Sequence, residues 1–311
     1  MLGGVLYEKA GYLGVFLVGF AVLIVDFIMR LLVIEKKVAR RYDERDASVD
    51  DREIAQEHHF DGDHEDHQDD EEQPLLGSKE EDDKAFKLSD DQPKIARTIP
   101  ILPCLTDPRL LTAFLVAFVQ ATLLGNYDAT IPTVAEEYFN FDSLHSGILF
   151  LPLGIADFLL GPAIGWCVDR YGTKVVAVVS YGYLVPILTL LRLVQPGGKK
   201  QIIIYGALLA LSGVGLAGIG APSLVEAGAV VQKYNEANPK FFGDDGPYAQ
   251  LYGLNSMVFC LGLTLGPELA GELKQAIGYG DMNLVLAGIC ALTAALSFVY
   301  IGGKPKMLSK S

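Results

Sequence analysis

Seven stretches of this chain are long and evenly apolar: 10–34, 108–132, 146–168, 175–195, 202–231, 250–273 and 282–302. Each supplies close to the ~20 residues that cross ~30 Å of hydrocarbon as a helix. A helix on a soluble core would show a polar face at the 3.6-residue period, and these runs show none. Backbone in lipid must satisfy its own N–H and C=O groups, so the expected fold class is an all-α membrane protein with seven transmembrane helices. The first run does not have the form of a cleavable signal. Glu8 and Lys9 lead into it, it is too long, and no small-residue cleavage site precedes the basic cluster after it.

A net charge of −13 conflicts with this reading only until it is located. Residues 42–91 hold 21 Asp/Glu, five Lys/Arg and four of the five histidines, a net −16. The remainder is about +3, from 20 basic and 17 acidic side chains. One compact acidic domain is thereby excluded. The acidic stretch lacks the apolar content to offset its ordering entropy, so 43–98 is expected to be a disordered linker. The remaining boundaries follow: 1–42 for the first helix and its basic flank, 99–303 for a six-helix bundle, and 304–311 for a short tail.

Within the linker, His58, His59, His64 and His67 alternate with carboxylates. A weak transition-metal site is one reading, and a solvated tether is the better one. Glu71-Glu72-Gln73-Pro74-Leu75-Leu76 has the acidic-dileucine form that sorting adaptors read, with Glu71, Leu75 and Leu76 as the contacts. Cys104, Cys167, Cys260 and Cys290 lack metal-type spacing and read as buried free thiols. No nucleophile–base set or metal-ligand cluster occurs in the apolar part, so neither an enzyme nor a cofactor is expected. The slight basic surplus there is topogenic, not a nucleic-acid footprint. Outside the acidic stretch, fifteen Lys/Arg fall on one side of the spans and five on the other. The positive-inside rule then puts the N-terminus outside or in a lumen, and the C-terminus and acidic linker in the cytosol.

The most specific local pattern runs from Gly161 to Lys174, as Gly-Pro-Ala-Ile-Gly-Trp-Cys-Val-Asp-Arg-Tyr-Gly-Thr-Lys. Gly161 and Gly165 share a helix face and would let another helix approach. Asp169 and Arg170 lie at headgroup level, where charges can latch one helix to another. Gly172 permits the reversal into the next span before Lys174. The spacing favours a gating loop over an ordinary hairpin. Gly213-Val214-Gly215-Leu216-Ala217-Gly218 matches a dinucleotide fingerprint but has no strand before it, so close helix packing is expected instead. Prolines 152, 162, 186, 222 and 267 predict kinks beside a cavity.

Acids inside apolar spans are the functional candidates, since a charge at mid-bilayer costs at least ~2.5–3.5 kcal/mol. Asp157 sits in the run Phe150–Leu160 with no neutralising neighbour in sequence. Such surroundings favour the neutral acid, as a proton carrier requires. Asp128 follows Asn126 and Tyr127, and a carboxylate beside an aromatic suits an organic cation. Glu226 follows Pro222, and Glu268 follows Gly266-Pro267. For each, two roles stand: transport, or a hydrogen-bond network between helices.

The Gly161–Lys174 segment resembles the cytosolic signature loop of major facilitator superfamily transporters, in the copy between the eighth and ninth helices. Asp128-Ala129-Thr130-Ile131-Pro132 resembles the end of helix seven in vesicular amine transporters. Tyr248–Asn255, Phe259–Gly262 and Leu265-Gly266-Pro267 resemble their helix eleven, and Asp26–Lys37 resembles the end of helix six in fungal relatives. The resemblance implies helices six to twelve of a twelve-helix proton-coupled antiporter exporting small organic solutes, cations included. Asn255 and Ser256 would then offer hydrogen bonds to the solute. It also implies a vacuolar, vesicular or plasma membrane, and, because the solute site lies between two halves, either a fragment of a longer transporter or a need for a partner that supplies the other half. Two other readings stand beside it: a non-transporting fragment or assembly partner, and a seven-helix receptor.

Overall fold

A computed structural model describes residues 2–32, 86–88, 99–243 and 246–302. The histidine cluster, the dileucine motif and the 304–311 tail lie outside the described residues, as does the linker apart from 86–88. The described residues form helices and no strand. The helices are α1 (Leu2–Leu32), α2 (Pro108–Phe139), α3 (Ser143–Tyr171), α4 (Thr173–Leu190), α5 (Lys199–Ala237), the short α6 (Pro239–Phe242) and α7 (Tyr248–Tyr300). Two compact units result, one containing α1 and the other all the later helices. In the first, α1 is broken at Gly11 and, apart from Asp26 in its sequence, is apolar and exposed from Phe20 to Met29.

Among the described residues, six helices are long and apolar enough to cross a membrane. The last of them, α7, has 53 residues, which at 1.5 Å each is ~80 Å and about twice what a bilayer needs. Gly278 resolves the excess. Its φ of 83° and ψ of 164° break the ladder at a conformation that suits glycine. Two spans result, α7a (248–277) and α7b (279–300), which brings the seven apolar runs into register with seven helical segments.

Local chemistry sets the other boundaries. Asp107 caps α2 by accepting the Arg109 N–H at 2.8 Å, with Pro108 in the first turn, and Asn140 closes it in the left-handed region at φ 49°. Asp142 caps α3 by accepting the His145 N–H at 2.9 Å. A single residue, Gly172 at φ 88°, separates α3 from α4.

Contacts fix the helix directions in the second unit. Along α2 and α7a they advance together, from Phe118 beside Gly262 to the Glu137–Lys274 ion pair at 2.9 Å, so these two run parallel. Along α4 and α7b they run in opposite senses. Arg192 meets Asp281 at 3.1 Å, and the Lys174 ammonium lies 5.1 Å from the centre of the Phe298 ring. Glycines permit the closest approaches. A side chain at Gly213 would strike the Leu153 carbonyl of α3, and one at Gly218 would strike Ser180 of α4. Lipid supplies no hydrophobic drive between spans, so such small-residue contacts carry much of the association. The close packing expected of Gly213–Gly218 is therefore present. Gly161 and Gly165 differ, because no atom of the described chain lies within 4 Å of a Cβ at either position.

Residues 86–88 lie within the stretch read as linker, yet they are fastened to the end of α5. Asn238 accepts the Leu88 N–H at 2.8 Å and donates to the Phe86 carbonyl at 2.8 Å. The Phe86 ring meets Tyr234 edge-on at 5.1 Å, with the Lys233 ammonium 5.3 Å from its centre. Phe86 and Leu88 thereby pack against the apolar cluster that includes Tyr234 and Leu251. Asn238→Ala removes both backbone clamps at about 1 kcal/mol each. Amide exchange at Leu88 should speed up roughly 10- to 30-fold, and an unchanged rate would show that Asn238 does not hold the segment.

Candidate functional site

Glu226 lies one turn beyond Pro222 on α5 and is 3% exposed. Burying a carboxylate is costly unless its oxygens are fully engaged, and here they are. Oε1 accepts from Arg109 Nη2 at 2.6 Å, Arg109 Nε at 3.1 Å and the Gly302 N–H at 3.1 Å. Oε2 accepts the Thr173 hydroxyl at 2.5 Å. One side chain of α5 thus ties down the start of α2, the start of α4 and the chain just beyond α7b.

The Gly161–Lys174 pattern supplies half of this hub. Gly172 turns the chain so that Thr173 faces Glu226, while Lys174 lies against Gly302 and Phe298. Arg170 stays on its own helix, with its guanidinium carbon 5.2 Å from the centre of the Trp166 ring. An interhelical ion pair at this end of the helices joins Arg109 of α2 to Glu226 of α5. The sequence pattern alone assigns no individual role to Arg109 or Thr173. Pro108-Arg109 at the mouth of an apolar run, with a buried acid on another span, was the available signal for Arg109.

The remaining candidates separate by exposure. Asp128, Asp157 and Glu268 are exposed on their helices. Among the described residues none of the three has a hydrogen bond or ion pair. Asn126 and Tyr127, beside Asp128 in sequence, are 1% exposed and point into the packed interior. Both polar atoms of the Asn126 amide lack partners there, as does Oδ1 of Asn255. Ser256, one residue on, is exposed. Among the described residues no three His, Cys, Asp or Glu side chains converge as metal ligands.

The cysteines are all free, with Cys104 and Cys290 buried, Cys167 half-buried and Cys260 exposed. Burial, with Asp107 nearby, pushes the Cys104 thiol up to about 12. Only ~1 in 10,000 of it is thiolate at pH 8, and the thiolate is the nucleophile. Cys104 should therefore resist maleimide at pH 8 in the folded chain and react after denaturation, as mass spectrometry would show. Labelling without denaturant would contradict its burial.

Residues 1–237 match the sequence profile of the Major Facilitator Superfamily. The chain is 40% identical over 97% of its length to the MFS-type transporter ppzB of Metarhizium majus, covering 68% of that protein. The chain belongs to the major facilitator superfamily. It is equally similar, at 40% over 97% of its length, to ppzB of Metarhizium rileyi, of which it spans 64%. An uncharacterized MFS-type transporter of Schizosaccharomyces pombe is 29% identical over 93% of the chain and is covered over 60% of its own length. Family membership places this facilitator chain among membrane transporters, not enzymes, and puts its apolar helices in a lipid bilayer.

Proposed function

We propose that this chain forms helices six to twelve of a proton-coupled antiporter that exports small organic solutes, cations among them. Its C-terminus would face the cytosol, together with the Glu226 hub. The observation that carries the reading is the set of unpartnered carboxylates on apolar spans: Asp157 on α3, Asp128 on α2 and Glu268 on α7a. A charge left in hydrocarbon without a partner is costly. Retaining three such acids fits a water-lined solute path in which protons and cations compete for the same oxygens. The hub plays the complementary part. It ties three helix ends to α5 as one block at the gating loop, as rocking of a rigid half requires. Helices one to five would come from preceding sequence or from a partner. Glu71, Leu75 and Leu76 would address the protein to a vacuolar or vesicular membrane through a sorting adaptor.

The test is solute accumulation in sealed vesicles that carry the complete transporter and an imposed acid-inside gradient. Accumulation that a protonophore collapses supports the proposal. Flux that ignores the gradient rules out proton coupling.

A further inference from the structure

A groove of about 340 Å³ runs between α3, α4 and α5 from the Gly172 turn. It is lined by Ile164, Cys167 and Tyr171 of α3, Val179 and Tyr183 of α4, and Gly215 of α5. A Cβ at Gly215 would strike Leu184 and press on Tyr183, so the glycine lets α4 lie against bare α5 backbone. Val179 is 63% exposed, and the groove therefore opens outward, toward the lipid in which the family places these helices. Another lining residue, Val175, stands next to the turn. From Val175 to Tyr183, α4 rises ~12 Å, most of the ~15 Å of hydrocarbon in one leaflet. Volume over length leaves a mean cross-section of ~28 Å². A helix ~10 Å across would need ~80 Å². A single hydrocarbon chain fits this groove, and another span does not.

A cation stands at the turn end of the groove. Tyr171 is the last residue of α3, and its ring meets Trp166 edge-on at 6.2 Å. The Arg170 guanidinium lies over the same Trp166 ring, 5.2 Å from its centre. Trp166 and Arg170 are both exposed. Among the described residues Arg170 makes no ion pair. Asp169 does not cancel its charge on the groove side. It projects ~170° around α3 from the row Ile164, Cys167 and Tyr171, while Arg170 projects ~90° from that row. Tryptophan and tyrosine suit the membrane–water boundary, and a guanidinium forks onto phosphate oxygens.

We infer that this groove holds one acyl chain of an anionic phospholipid, whose phosphate sits on Arg170 beside Trp166 and Tyr171. Charge decides the headgroup. A sterol brings no phosphate and leaves the guanidinium unanswered. A phosphatidylcholine brings its own cation, which Arg170 repels. The site needs a bilayer around the helices, which family membership supplies, and does not depend on proton coupling or on any solute.

Trp166 is the chain's only tryptophan, so its fluorescence reports on this rim alone. The test places the full chain in phosphatidylcholine nanodiscs doped with phosphatidylglycerol brominated on its acyl chains, which quench a neighbouring indole. Half-maximal quenching should come at about fivefold lower mole fraction than with brominated phosphatidylcholine. Arg170→Gln should erase that preference, and Arg170→Lys, which keeps the charge, should retain most of it. Val179→Phe fills the groove without touching the cation and should also erase the preference. Circular dichroism of all three variants should match that of the parent. Equal quenching by the two brominated lipids would overturn the proposal, as would a preference that survives Arg170→Gln. A preference unchanged by Val179→Phe would overturn it as well, since the headgroup would then be held with no chain in the groove. Relief of the quenching by an equimolar sterol would give the groove to the sterol instead. None of these readouts needs a solute or a gradient, so the transport reading stands or falls separately.

Discussion

Glu226→Ala should destabilise the folded chain by on the order of 3–5 kcal/mol, the usual result of removing one partner from a buried ion pair. The size follows from what loses its acceptor. The Arg109 guanidinium, only 22% exposed at its side chain, is left as an uncompensated charge. The Thr173 hydroxyl and the Gly302 N–H lose their acceptor as well. A double variant, Arg109→Met with Glu226→Ala, separates charge from packing. If the unpaired guanidinium carries most of the loss, the double variant will recover part of it. The two effects will then fall short of additivity by 1 kcal/mol or more, as expected within one network. Denaturant unfolding of the purified chain in mild detergent measures both. A cost for Glu226→Ala below about 1 kcal/mol, or strict additivity, would mean that the three helix ends are held to α5 by packing alone. Glu226→Asp adds a further check. Its shorter side chain keeps the charge but cannot reach Arg109 and Thr173 together, so an intermediate loss is expected.

Why the hub had to be found in the structure is instructive. Helix positions were readable because apolar length is a local property, and the runs at 108–132 and 146–168 fall inside α2 and α3. Gly172 was readable as a turn for the same reason: it lies in the short stretch 169–174 between two apolar runs. Partnership is not local. Arg109 and Glu226 are 117 positions apart, and nothing within either neighbourhood reports the other. The glycines show the same limit. Gly161–Gly165 and Gly213–Gly218 both carry small residues on one helix face, yet only the second meets backbone and side chains of other helices. Spacing reveals which face is small, while topology decides whether anything packs there. The acids differ in turn. Adjacent residues on a helix point ~100° apart, so Tyr127 is buried and Asp128 exposed on consecutive positions. A sequence motif joins the two, but the fold assigns them to different surroundings.

The larger functional effect belongs to Asp157. In a complete transporter, Asp157→Asn should reduce gradient-driven solute accumulation by ~100-fold or more, because an amide of the same shape has no proton to exchange in the working pH range. Stability should not fall with it. Among the described residues the Asp157 carboxylate makes no ion pair or hydrogen bond whose loss would be felt. A carboxylate in apolar surroundings is itself a cost that the amide lowers. A melting temperature equal to or above the parent's is therefore the expected companion to the lost flux, and it excludes misfolding as the cause. Solute counterflow, which needs binding and rocking but no net proton movement, distinguishes the remaining possibilities. Retained counterflow assigns the proton to Asp157. Lost counterflow makes Asp157 a ligand for the solute, and the proton then falls to Asp128, whose own Asn variant should show the uncoupled pattern. Undiminished gradient-driven accumulation in Asp157→Asn would remove this acid from the coupling mechanism.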